Sequence, residues 1–160
     1  MSLKAITKGQ LFVNFKAIDN LIDITPDDIW NQKRGGYVYW QQIVHAITGS
    51  LFWLRTENTK FIEPYAELNI YPELEKDPEN ALTKQQVRDL LNELVDLAGD
   101  FFRNVDDNVL LEKSFLYDKT TNLDVVFGQV RHLMYHTGHC ESILRESGIK
   151  EIEWVDDFGT

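Results

Sequence analysis

The chain has 160 residues, 43% of them hydrophobic, 12% aromatic and 26% charged, a balance that excludes a disordered or low-complexity polymer and suits one domain with a real core. Sixteen Lys and Arg against 26 Asp and Glu leave a net charge of −10, which repels phosphate backbones and anionic lipid and argues against nucleic acid and membranes as partners. A single cysteine excludes an internal disulfide, a Cys-based zinc knuckle and an iron–sulfur cluster.

Residues 1–160 are expected to form one domain. Met1 to Lys8 lacks the apolar core of a signal peptide, and no stretch nears the ~18 apolar residues of a membrane span, so the expected location is cytoplasmic. From about Leu3 to Ile22, the residues Leu11, Phe12, Phe15, Ile18, Leu21 and Ile22 recur three and four apart, which predicts a first helix. Thr25-Pro26-Asp27-Asp28 reads as a Thr N-cap with Pro at the first helical position, opening at most a short turn before Gly35-Gly36. A second long helix is predicted from about Tyr37 to Arg55, burying Trp40, Ile43, Val44, Ile47, Leu51 and Leu54. Pro64, Pro72 and Pro78 make the stretch from Thr56 to Leu82 mostly loop.

Thr83 and Gln86 spell a capping box for a third helix, whose buried stripe runs from Val87 through Leu90, Leu91, Leu94, Val95 and Ala98 to Phe101 and Phe102. A connection follows from Asp107 to Asn122. The fourth helix, from about Leu123 to Glu146, is predicted to bury Leu123, Val126, Phe127, Val130, Leu133, Met134, Ile143 and Leu144, with Gly148 as its C′ glycine. No segment alternates as a strand does. The expected class is therefore all-α, a four-helix bundle with long connections between helices two and three and between three and four.

The chemistry lies in the histidines. Of four in the chain, three fall in Arg131-His132-Leu133-Met134-Tyr135-His136-Thr137-Gly138-His139-Cys140. At ~100° per residue all three project from one stripe; His132 and His136 are one turn apart and can chelate one ion, whereas His139 lies two turns from His132, about 10 Å along the axis. His45, in the middle of the second helix, can oppose that pair and complete a three-nitrogen set, the open arrangement that leaves further positions for water or substrate. The competing reading of each imidazole is a hydrogen-bonded core histidine. Cys140 is either a fourth ligand or a small buried hydrophobe, and the latter is the commoner role. No Glu precedes any His by three, so the di-iron signature is missing, and H-E-x-x-H is absent. The aromatic residues Tyr37, Tyr39, Trp40, Phe52 and Trp53 read as packing, and the pairs Asp106-Asp107 and Asp156-Asp157 as solvated loops.

His132-x-x-x-His136-x-Gly138 followed by Ile143-Leu144-Arg145-x-x-Gly148, together with Ile43-Val44-His45 and Trp53 eight residues on, resembles the signature of the DinB-like superfamily. The resemblance spans essentially the whole chain in the order and length of its elements. It implies a four-helix bundle, usually homodimeric, with a divalent ion, commonly zinc or nickel, on His45, His132 and His136. It also implies a relationship to thiol-dependent S-transferases and isomerases that use bacillithiol, mycothiol or glutathione. His139 stands where that pattern often has Gln, and Cys140 where an apolar residue is usual; His139 and Tyr135 are the candidates for proton transfer. The expected function is a metal-dependent transferase or hydrolase acting on a small electrophilic molecule, with a low-molecular-weight thiol as cosubstrate. The alternative is a non-enzymatic metal-binding or interaction bundle.

Overall fold

A computed structural model describes residues 1–150 and 152–154; Asp156-Asp157 lies outside the described residues. Four long helices, α1 (Leu3–Ile24), α3 (Tyr39–Trp53), α4 (Lys84–Asn104) and α6 (Asn122–Glu146), are joined by two short ones, α2 (Asp27–Trp30) and α5 (Asp107–Leu111), and by a two-stranded hairpin of β1 (Lys33–Arg34) and β2 (Tyr37–Val38). α1 and α3 each pack against both α4 and α6, so one apolar interior is shared by all four long helices. At its centre lie Leu11, Ile22, Trp40, Ile47, Leu94, Phe101 and Leu133, each almost fully buried. No helix of the described residues is long and apolar enough to cross a membrane.

The predicted stripes of α1, α3 and α4 all point inward. α4 starts on its capping box, with Thr83 and Gln86 exchanging side-chain and backbone bonds, and α6 starts on another, between Thr121 and Asp124. On α6 the expected stripe needs correcting, because Phe127 and Met134 are exposed. The buried seam instead follows Val126, Leu133 and Cys140 at intervals of seven, and Phe127 and Met134 sit one residue, about 100°, past it. Thr25 does not start a helix. It ends α1, and its hydroxyl donates to the Leu21 carbonyl at 2.5 Å; Pro26 is the N-cap of α2.

The connection after α4 is partly helical as well. Asp106 caps α5, and the Asp107 carboxylate accepts from the Leu3 and Lys4 amides at 3.0 and 2.8 Å, placing negative charge at the N-terminus of α1 where the helix dipole favours it. The hairpin at 33–38 was not predicted. Gly35 and Gly36 have φ of 65° and 98°, the paired positive values of a two-residue type I′ turn, and the Gln42 side chain ties the Arg34 carbonyl down at 3.3 Å.

Candidate metal centre

α3 and α6 bring the imidazoles of His45, His132 and His136 into a near-equilateral triangle. Ring centroids are 5.0 Å apart for His45 and His132, 4.7 Å for His45 and His136, and 4.8 Å for His132 and His136. One nitrogen from each ring lies within 4.8 Å of the other two. His45 Nε2 and His132 Nε2 face each other at 3.1 Å. Two nitrogens held by one ion at 2.0–2.1 Å are about 3.3 Å apart in a tetrahedral site and about 2.9 Å apart as octahedral neighbours. The three histidines are close enough to bind a metal.

The His45 ring is oriented by a loop. Its Nδ1 lies 2.7 Å from the Pro72 carbonyl; a carbonyl only accepts, so Nδ1 carries the proton and Nε2 presents its lone pair to the other two rings. The loop reaches this position through uncommon backbone, with Asn69, Tyr71 and Leu74 at φ of 51°, 49° and 62°. The fully buried Gln41 holds it there, its Nε2 lying 3.0, 2.9 and 2.9 Å from the carbonyls of Ile70, Tyr71 and Lys76.

Gln41, His45 and Gly49 are spaced by four and form one row along α3. Gly49 ends the row because His132 lies against it: a Cβ there would be 2.8 Å from His132 Cε1. One turn along the interface, the buried Ser50 hydroxyl donates to Gln129 Oε1 at 3.1 Å and pins α3 to α6.

Burial first, and then the neighbouring His45, His132 and His139, push the His136 imidazole down to about 3. Burial and His45 likewise lower His132. Both rings are thus neutral near pH 7, as metal ligation requires. Among the described residues, His136 Nδ1 and Thr137 Oγ1 are buried without hydrogen-bond partners. Both residues line, with Cys140, a void of about 10 Å³, close to the smallest space that holds one water. The donor set of three imidazoles, one with its tautomer fixed from outside, fits a divalent transition ion.

The remaining candidates lie apart from the triangle. Cys140 is buried, and burial pushes its thiol up to about 12; it packs in the interior and is outside the cluster. His139 also lies outside it: its ring rests on Gly35, where a Cβ would come within 2.1 Å of Nε2. Tyr135 is largely exposed, with its ring edge-on to His136 at 5.0 Å. His139 and Tyr135 line a separate open cleft of about 550 Å³. Gln41, Gly49 and Pro72 were missed from sequence, although two of them stand one turn either side of His45 and the spacing alone pointed to them.

No family model, curated protein or solved structure matches the chain.

Proposed function

We infer that the chain is a metal-dependent enzyme built on a DinB-like four-helix bundle, with His45, His132 and His136 as the ligands of a divalent ion. The observation that carries this reading is the 3.1 Å approach of His45 Nε2 to His132 Nε2 with the His45 tautomer set by the Pro72 carbonyl. Zinc or nickel suits three imidazoles. When bound, the ion supplies Lewis acidity that lowers the pKa of a water or thiol and readies it for attack on an electrophile.

The chain's own groups do the rest. Pro72 holds the His45 proton away from the ion, and Gly49 gives the His132 ring its place. Tyr135, whose ring lies edge-on to His136, and His139, which lines the open cleft with it, are the proposed proton-transfer groups. A low-molecular-weight thiol is the proposed cosubstrate, and a cytoplasmic homodimer the proposed state; both come from the resemblance of the histidine pattern to the DinB-like superfamily.

Elemental analysis of the purified chain tests the assignment: about one divalent ion per chain is expected in the wild type, falling at least tenfold in His136→Ala. Equal metal in both overturns it. Conjugation of an electrophile with a panel of small thiols then separates a transferase from a hydrolase.

A second reading has its own support. A 3.1 Å contact between two Nε2 atoms is also a direct hydrogen bond, with His132 donating to His45, which describes a structural histidine cluster in a non-enzymatic bundle. It predicts that added metal leaves the thermal midpoint unchanged. An ion at 100 times its Kd raises stability by about 2.7 kcal/mol.

A further inference from the structure

The cleft beside the triangle has a floor and a wall made by different parts of the chain. The hairpin contributes Arg34 and Gly35, and the last turns of α6 contribute His139, Ser142 and Glu146. Arg34 is partly buried, and its guanidinium is held at two points by neutral acceptors: Nε donates to Gln32 Oε1 at 2.9 Å and Nη1 to Ser147 Oγ at 2.5 Å. Ser147 is the C-cap of α6, so the negative end of that helix accounts for why a cation sits here. It engages only part of the group. Of five N–H donors in a guanidinium, these two bonds use one on Nε and one on Nη1, which leaves both on Nη2 and one on Nη1.

Among the described residues no carboxylate forms an ion pair with Arg34, whereas Lys33, Lys84 and Arg103 each have one and Arg88 has two. In a chain of net charge −10, an arginine fixed in place without a carboxylate partner has the form of a receptor for one. A planar fork fits a carboxylate in a bidentate manner. Glu146 lines the same cleft, so the cavity offers one positive and one negative group together. That combination opposes a phosphate dianion and matches a zwitterion. Tyr135 and Ile143 add an aromatic and an aliphatic wall.

We propose that this cleft binds a small amino-carboxylate ligand, with its carboxylate on the remaining N–H donors of Arg34, its ammonium toward Glu146 and its apolar part against Tyr135 and Ile143. Tyr135 is shared with the triangle, because its ring flanks His136. The cleft is therefore the substrate subsite of the proposed metal centre, and this link alone rests on the enzymatic reading.

The test is a titration of the isotope-labelled full chain, as purified and again after chelation, followed by backbone amide NMR. The probes are phenylalanine, 3-phenylpropionate, 2-phenylethylamine and inorganic phosphate. Phenylalanine is expected to shift the amides of the hairpin and of residues 139–147 with the highest affinity of the four, before and after chelation. Arg34→Gln, which can still donate toward Ser147, should weaken phenylalanine and phenylpropionate at least about tenfold and leave phenylethylamine unchanged. Glu146→Gln should weaken phenylalanine and phenylethylamine and spare phenylpropionate. Absence of shifts with every probe, Arg34→Gln binding as the wild type does, or phosphate outcompeting phenylalanine overturns the proposal. Metal uptake by the same wild-type chain separates the two claims: cleft binding in a chain that takes up no divalent ion when one is offered sinks the metal centre and leaves the cleft standing, and ion uptake without cleft binding does the opposite.

Discussion

A single hydrogen on the Gly49 α-carbon is what admits the His132 imidazole to the triangle, since a methyl there would lie 2.8 Å from the ring. Gly49 sits inside α3, where alanine is favoured over glycine by about 0.8–1.0 kcal/mol. Gly49→Ala is therefore expected to leave the metal-free chain as stable as before, because the partly buried His132 ring can swing away. Its affinity for a divalent ion should fall at least about tenfold. Chelator competition together with a denaturant melt reads both quantities, and unchanged affinity would show that Gly49 has no part in placing the ring. Gly35 makes a similar allowance for His139, but its φ of 65° adds backbone strain to any substitution, so a change there would not isolate the contact.

At the scale of elements, α3 and the loop from Asn69 to Lys76 act as one unit through Gln41. Replacing Gln41 with Leu removes the donor that three loop carbonyls share. The expected loss is about 2–4 kcal/mol of stability, measurable as a lower denaturant midpoint. With the loop loosened, the Pro72 carbonyl no longer fixes His45, so metal affinity should drop too; a stability loss with full affinity would separate the loop from the centre. The histidine triangle was legible in the sequence because helical spacing alone puts His132 and His136 one turn apart and His45 on an inward face. Gln41 was not legible. Counting apolar positions discards polar ones, yet α3 is buried nearly all round and takes Gln41, Gln42, Thr48 and Ser50 inside with its hydrophobes. The hairpin escaped for another reason: each strand has two residues, too few for alternation to register, and its position depends on contacts with α6 that lie more than 100 residues away. Phe127 and Met134 were misplaced because α6 faces both α1 and α3, and the seam between them is narrower than hydrophobicity alone suggests.

For the whole molecule, the lowered histidines make stability depend on pH in a defined direction. His136 titrates at about 3 in the fold against 6.5 when unperturbed, so between those values the unfolded chain binds more protons than the folded one, and stability rises with pH. This contribution is fully present above about pH 6.5 and is lost as pH falls toward 3. His132 is lowered too and acts in the same direction. The metal-free chain is thus expected to lose stability on acidification from pH 7 to pH 4.5, and His136→Phe should flatten that slope. Parallel denaturant-midpoint profiles for the two proteins would place the acid sensitivity elsewhere. The triangle has a further consequence in time. His45 and His132 lie 87 residues apart, and between them come the whole of α4 and both long connections. A chain emerging from synthesis therefore carries an isolated imidazole, then a two-ligand clamp on α6, and acquires its third nitrogen only when α6 docks against α3. Tight capture of an ion would then wait on the docking of α6, and so report that this helix has reached its place.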